Sequence, residues 1–166
     1  MNPFSVAILG YVSLERLFEL LFAGRNTRRL RAMGATEHGQ GHYPLMVALH
    51  TTWLVTLWFL ARDRDPDIFW LAIYVLLQAA RLWVMASLGP RWTTRIITLP
   101  GEDLVKEGPY RFLNHPNYWV VIGEIAVLPL VFGLPWVALI FSILNAAMLT
   151  VRVREENRAL ARTRRR

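Results

Sequence analysis

The sequence contains no cysteine, which excludes disulfide bonds, thiolate metal sites and cysteine nucleophiles. It also contains no glycine-rich phosphate loop, no nucleophile elbow and no dinucleotide-binding fingerprint. The amino terminus has no positively charged segment before its first apolar run and no small-residue cleavage site after it. We therefore expect no cleaved signal peptide, and we expect the first apolar run to remain as a helix.

Long apolar stretches make up most of the chain. Apolar residues account for 54% of the 166 residues, a larger share than a soluble domain of this size normally carries. Three stretches, at about residues 3–24, 43–61 and 68–88, approach the ~20 residues that a helix needs to cross a bilayer. These stretches predict three membrane-spanning helices.

A fourth apolar stretch is long enough for two helices, at about residues 117–132 and 135–151, and Gly133-Leu134-Pro135 separates them. The apolar runs are continuous instead of alternating, and they are rich in leucine, alanine and methionine, which favour helix over strand. The sequence therefore predicts an all-α fold. We expect a polytopic integral membrane bundle of about five transmembrane helices that forms one domain over residues 1–166.

The positive residues test this arrangement, because lysine and arginine near span ends collect on the cytoplasmic side. With the amino terminus outside, the outer loops hold only Arg62 and Arg64. The cytoplasmic segments hold fifteen positive residues, namely Arg25, Arg28, Arg29, Arg31, Arg91, Arg95, Lys106, Arg111 and the seven arginines from Arg152 to Arg166. This imbalance predicts an outside amino terminus and a cytoplasmic carboxyl terminus. The same imbalance explains the net charge of +7 by the membrane topology, so this charge does not indicate nucleic-acid binding.

The longest polar connection covers residues 89–118. Its core is Val105-Lys106-Glu107-Gly108-Pro109-Tyr110-Arg111-Phe112-Leu113-Asn114-His115-Pro116-Asn117-Tyr118. Pro116 fits the first turn of the next helix, which places His115 at the N-terminal end of that helix. Unpaired backbone N–H groups and the helix dipole favour an anionic group there, such as a carboxylate. The alternative is a plain loop and helix start with interfacial tyrosines.

A second polar segment, Arg152-Val153-Arg154-Glu155-Glu156-Asn157, follows the last apolar run. The adjacent carboxylates of Glu155 and Glu156 are suited to bind ribose hydroxyls or the ammonium group of an amino acid. A solvated, salt-bridged helix end is the alternative, and the residues alone favour it.

Ionisable residues inside predicted spans are costly and are therefore functional candidates. Glu15 and Glu19 share one face of the first helix beside Arg16. A structural ion pair between these residues and Arg81 of the third span is the alternative to a catalytic role. Glu124 lies in the fourth span, where a buried carboxylate can serve as a base for an acceptor hydroxyl.

Two histidines, His38 and His42, precede the second span, and a third, His50, lies within it. His38 and His42 are four residues apart, but both precede the predicted second helix, and no suitably spaced carboxylates accompany the three histidines. We therefore expect no metal site.

Two polar signatures resemble those of the isoprenylcysteine carboxyl methyltransferase family. They are Glu107-Gly108-Pro109-Tyr110-Arg111-x-x-Asn114-His115-Pro116-Asn117-Tyr118 and, after two apolar spans, Arg154-Glu155-Glu156-x-x-x-Leu160. Earlier segments look like the short bacterial branch of this family, namely Glu15-Arg16-Leu17-x-Glu19, Arg25-Asn26, Gly34-Ala35-x-Glu37 and His42-Tyr43-Pro44-x-Met46-x-x-x-His50. The resemblance covers nearly the whole chain.

The resemblance implies a methyltransferase that uses S-adenosylmethionine, held by the loop 89–116 and by the polar end of the last helix. The residues implied to bind the cofactor are Val105, Lys106, Glu107, Gly108, Tyr110, His115, Asn117, Tyr118, Glu155 and Glu156. Among them, His115 is expected to hold the methionine carboxylate. Glu124 is the candidate base, and Arg95 is the candidate group that stabilises an acceptor anion.

The resemblance also implies a lipophilic small-molecule acceptor, methylated on a carboxylate or on a phenolic or enolic oxygen, such as a long-chain polyketide, an alkylpyrone-type or a prenylated molecule. We expect contacts with membrane lipids and none with nucleic acid. The expected location is the inner (plasma) membrane of a bacterium, with the active site facing the cytoplasm. The alternatives are a phospholipid head-group N-methyltransferase and a non-enzymatic membrane protein, such as a scaffold or a transporter component.

Overall fold

The computed structural model of the chain describes residues 1–101 and 105–163, and most of these are helical. The helices are α1 (Pro3–Ala32), α2 (Tyr43–Ala61), α3 (Ile68–Leu88), α4 (Pro116–Val131) and α5 (Pro135–Thr163). Two three-residue strands, β1 (Thr36–His38) and β2 (Ile96–Thr98), pair antiparallel, with Glu37 opposite Ile97. Short 3-10 turns cover Gln40–His42, Gly89–Arg91 and Gly108–Arg111.

The helix bounds confirm part of the sequence prediction. Helices α2 and α3 begin and end where the second and third apolar stretches do, and α4 and α5 are separated by the turn at Gly133, whose φ is +63°. Helices α1 and α5 are longer than predicted because their arginine-rich ends continue the helix beyond the apolar residues. The β1–β2 pair is a correction to the purely helical prediction, since three-residue strands carry too little alternation to be recognised.

Among the described residues, three helical segments are long and apolar enough to cross a membrane, namely Gln40–Ala61, Ile68–Arg91 and Pro135–Ala161. Their outer surfaces expose large apolar side chains, as at Phe59 and Leu76. Helix α4 is apolar but shorter, at 16 residues, and α1 carries three charged residues in its middle. The chain is therefore a helical membrane protein, while the count of five spans and the orientation stay predictions.

One end of the bundle, which we term the capped end, is closed by short connections. The side chain of Asn2 accepts a hydrogen bond from the amide of Phe4 (3.0 Å) and caps α1. Asp67 caps α3 in the same way, and its own amide donates to the carbonyl of Val131 (2.7 Å) at the end of α4. All long connections therefore lie at the other end, which we term the loop end.

Helices α3 and α4 approach closely near the middle of the bundle. A Cβ added to Gly123 of α4 would lie 2.6 Å from Cδ2 of Leu77 on α3, so a larger residue at this contact would require the Leu77 side chain to move. Towards the capped end, an apolar core that includes Leu9, Leu57 and Leu128 is fully buried. This packing fixes the start of α4 beside the end of α3, where the loop end begins.

Candidate functional site

A cavity of about 820 Å³ opens at the loop end, which is within the range of small-molecule binding sites. Its walls are the ends of α1 and α3, the segment 91–101 with β2, residues 105–115, the first turn of α4 and the polar end of α5. Apolar side chains cover part of this wall, including Leu30, Leu88, Trp92 and Ile96. The cavity therefore combines a polar side with an apolar one.

Glu156 of α5 lies at the centre of the polar side. Two residues at the start of α4 contact its carboxylate. The hydroxyl of Tyr118 donates to Oε2 of Glu156 (2.5 Å), and Nδ1 of His115 lies 3.5 Å from Oε1. The rings of His115 and Tyr118 stack with their centroids 5.3 Å apart. The hydrogen bond from His115 to Glu156 raises the pKa of the imidazole and so favours its protonated form.

The first turn of α4 adds a polar atom without a partner. Oδ1 of Asn117 is buried and accepts no hydrogen bond from any described residue, and Asn117 lines the cavity. His115 occupies the N-cap position, and Pro116 is the first helical residue. This acceptor atom at the helix start is therefore available to a hydrogen-bond donor of a molecule in the cavity.

Arg152 also lines the cavity, although the sequence predicted no binding role for it. The residue is 6% exposed, and its guanidinium donates to Sδ of Met46 (3.0 Å) and to the carbonyl of Thr94 (3.1 Å). Within the described ranges, no carboxylate lies at ion-pair distance from it. Arg152 lies one helical turn before Glu156, and this i,i+4 spacing places both residues on one face of α5. The spacing is therefore a signal in the sequence that could have identified Arg152 as a cavity residue.

Arg95, the predicted stabiliser of an acceptor anion, also lines the cavity but has strong partners of its own. Its Nη1 donates to Oε1 of Glu37 (2.5 Å), and its guanidinium lies 3.9 Å from the ring centroid of Tyr43. Glu37 also pairs with Arg31 of α1. Burial raises the pKa of the Glu37 carboxyl, but the hydrogen bonds from Arg95 and Arg31 outweigh burial and hold that pKa below its ordinary value. Arg95 thus joins β2 to β1 and α1.

The structure brings most of the predicted site residues together. Those that line the cavity are Arg95, Val105, Lys106, Tyr110, His115, Asn117, Tyr118 and Glu156. Burial and the nearby Glu156 carboxylate raise the pKa of the Tyr110 phenol, which therefore stays neutral and able to donate. These residues come from a loop, the start of α4 and the end of α5, and the turn at Gly133 brings the two helices together.

Four predicted site residues are not among the described residues that line the cavity, namely Glu107, Gly108, Glu124 and Glu155. Gly108 has a φ of +55°, which favours glycine, and it packs against Ser87 of α3, while its predicted role in cofactor binding stays a prediction. The carboxylate of Glu155 binds Arg158 (2.8 Å) on its own helix. These positions support the solvated ion pair for Glu155, and its predicted role in cofactor binding stays a prediction.

Glu124 lies within an ion-pair cluster in the interior of the bundle. Its Oε2 lies 2.7 Å from Nη1 of Arg81 and 3.0 Å from Nη2 of Arg16. Glu19 pairs with the same two arginines, at 2.9 Å from Arg16. The interhelical ion pair that the sequence offered as the alternative to catalysis is therefore present. The role of Glu124 as a base stays a prediction without a supporting contact.

The histidines of the first half of the chain have separate partners. Nε2 of His38 lies 2.8 Å from Oγ1 of Thr98 across the β1–β2 pair, and Nδ1 of His50 lies 2.9 Å from the carbonyl of Met46. No group of three histidine, aspartate or glutamate side chains within residues 1–101 and 105–163 is arranged to hold a metal ion.

Comparison with known proteins connects this site to a family. The sequence profile of the isoprenylcysteine carboxyl methyltransferase family matches residues 70–162, which include α4 and the polar end of α5. The chain is 37% identical over 158 residues to the uncharacterized protein YpbQ of Bacillus subtilis, covering 92% of this chain and 94% of that protein. It is 24% identical over 152 residues to an uncharacterized protein of Haemophilus influenzae, covering 88% of each. No solved structure matches the chain.

Proposed function

Because this chain belongs to the isoprenylcysteine carboxyl methyltransferase family, we propose that it transfers a methyl group from S-adenosylmethionine to an acidic oxygen of a lipid-like acceptor. The observation that carries the proposal is the cavity at the loop end, where His115, Asn117, Tyr118 and Glu156 converge within the matched region. The arginine-rich segments at this end support a cytoplasmic location of the cavity, in the inner membrane of a bacterium.

The residues of the polar side fit the chemical groups of S-adenosylmethionine. The Glu156 carboxylate suits an ammonium group or ribose hydroxyls, while a protonated His115 and the N-terminus of α4 suit the methionine carboxylate. The unpartnered Oδ1 of Asn117 would be available to accept a hydrogen bond from a donor of the cofactor. When bound, the cofactor supplies a methyl group that its positive sulfur has already activated.

The protein's own task in such a transfer is alignment and the exclusion of water, since the methyl group needs no covalent activation by a side chain. Tyr118 and His115 hold Glu156 in place from α4. The apolar side of the cavity, with Leu30, Leu88 and Trp92, provides a surface for an alkyl or prenyl chain. An acceptor with a polar head and an apolar chain therefore fits both sides.

Cofactor binding tests the proposal directly. Calorimetry of the detergent-purified protein with S-adenosylhomocysteine is expected to give saturable binding. The variant His115→Ala should bind roughly 10-fold or more weakly, because a charge-assisted hydrogen bond contributes ~1.5–3 kcal/mol. His42→Ala is the matched control, since His42 is not among the described residues of the cavity wall. Absence of binding by the unaltered protein would favour a non-enzymatic scaffold.

The buried charge of Arg152 supports an acceptor that binds as an anion. We expect Arg152→Gln to lower kcat/KM for a 4-hydroxy-6-alkyl-2-pyrone by roughly 10- to 100-fold, because a charged hydrogen bond to the enolate oxygen is lost. Methyl transfer from radiolabelled S-adenosylmethionine measures the effect. Arg154→Gln is the control, since Arg154 is exposed on the same helix. Equal losses in both variants, or methylation of phosphatidylethanolamine instead of the pyrone, would contradict the assignment.

A further inference from the structure

The ion-pair cluster inside the bundle contains more carboxylates than guanidinium groups. Glu15, Glu19 and Glu124 supply three potential negative charges, while Arg16 and Arg81 supply two positive charges. The side chains of Glu19, Arg81 and Glu124 are at most 7% exposed, so water reaches them poorly. An uncompensated charge in such surroundings is unfavourable, and one positive charge is missing.

The contacts identify the carboxyl group that lacks compensation. Glu19 and Glu124 each pair with both Arg16 and Arg81. Glu15 has one ion-pair contact, 3.7 Å from Nη2 of Arg16, and no described residue forms a hydrogen bond with its buried Oε2. Glu15 is therefore the group in excess.

The α3 side of the cluster contains one more polar atom without a partner. Oε1 of Gln78 is buried and has no hydrogen-bond partner among the described residues, while Nε2 of the same side chain donates to Glu124 (3.2 Å). Charged and titratable groups face the cluster from every packed helix: Tyr11, Arg16 and Glu19 on α1, His50 on α2, Tyr74 and Arg81 on α3, and Glu124 on α4. Two guanidinium groups make the site unsuited to a metal cation.

We propose that Glu15 is a proton-binding site in the interior of the membrane bundle and carries its proton at neutral pH. With this proton, the cluster consists of two carboxylates and two guanidinium groups and is electrically neutral. The side chain of Glu15 is 13% exposed, so the carboxyl remains reachable for proton exchange and for a small apolar reagent. This site is separate from the proposed methyl transfer and does not depend on it.

Labelling of the full-length protein in membranes with dicyclohexylcarbodiimide tests the proposal. The carboxyl proton moves to a carbodiimide nitrogen, the carboxylate oxygen adds to the central carbon, and the adduct rearranges to a stable N-acylurea. We expect mass spectrometry to find one adduct, on Glu15, with a yield that falls as the pH is raised. Glu15→Gln should abolish the adduct. Glu155→Gln, a control at the loop end, should keep it.

Charge compensation provides a second, sharper readout. In Glu19→Gln or Glu124→Gln, one negative charge is removed, so Glu15 should ionise to pair with the arginines and the adduct should disappear. Infrared spectroscopy should detect the carbonyl band of a neutral carboxylic acid in the unaltered protein and its loss in Glu15→Gln. An adduct on Glu19 or Glu124, labelling of Glu15 that persists in both variants, or the absence of the acid band would overturn the proposal.

Discussion

Glu156→Gln is expected to weaken the binding of S-adenosylhomocysteine by roughly 10²-fold. The substitution removes the charge that accepts the Tyr118 hydroxyl (2.5 Å) and that pairs with His115 (3.5 Å). The carboxylate would also bind the ammonium group or the ribose hydroxyls of the ligand, and loss of a hydrogen bond to a charged group costs about 1.5–3 kcal/mol. Calorimetry of the detergent-purified variant measures the change.

Glu155→Gln is the matched control for this substitution. Glu155 is the preceding residue on α5, but its carboxylate binds Arg158 and not the cavity residues. We expect its affinity for S-adenosylhomocysteine to stay within about twofold of the unaltered protein, since exposed ion pairs contribute ~0–1 kcal/mol. If the variants Glu155→Gln and Glu156→Gln reduced affinity equally, the total charge of the helix end, and not Glu156 itself, would account for binding.

The pH dependence of binding separates the same two residues. Glu156 raises the pKa of His115, so the protonated imidazole is present at low pH and is lost as the pH rises through that raised value. Affinity for the cofactor carboxylate should fall over the same interval. In Glu156→Gln the fall should begin at lower pH, whereas Glu155→Gln should leave the profile unchanged.

Arg81→Met is expected to destabilise the protein by about 3–5 kcal/mol, because removal of one partner from a buried ion pair leaves the other charges uncompensated. Arg81 is 6% exposed and contacts both Glu19 and Glu124. Thermal unfolding in detergent measures the loss. Arg62→Met on the exposed α2–α3 connection is the control and should change the melting temperature little.

A double variant distinguishes charge from packing as the cause. Glu19→Gln combined with Arg81→Met removes one charge of each sign, so it should recover part of the stability that Arg81→Met loses. If the double variant were as unstable as the sum of its parts, the side-chain contacts of Arg81 and not its charge would account for the effect.

The polar residues of the site were predictable to different degrees. His115 and Glu156 are 41 residues apart, yet the two signatures identified both, and the structure brings them to 3.5 Å. Glu155 was predicted with Glu156, but successive helical residues point about 100° apart, so only one of them faces the cavity. The sequence alone does not specify which one, because that depends on how α5 is rotated against α4.

The interior of the bundle was less predictable than its spans. Apolar runs determine where α2 and α3 begin and end, because burial in lipid requires continuous apolar length. Which arginine reaches Glu124 depends on the rotation and depth of α1 and α3, and an apolar pattern on all sides of a helix does not encode these. Arg81 was therefore named as a partner of Glu19, while its contact with Glu124 emerged only from the packing.

The ion pairs of Glu37 limit which fragments of the chain can form the cavity. Glu37 binds Arg31 on α1 and Arg95 beside β2, so it ties the first 69 residues to the segment that the family profile covers. Leu30 of α1 also forms part of the cavity wall. The smallest fragment able to build the complete cavity is consequently longer than residues 70–162, and chimeras between relatives should exchange the β1 and β2 segments together.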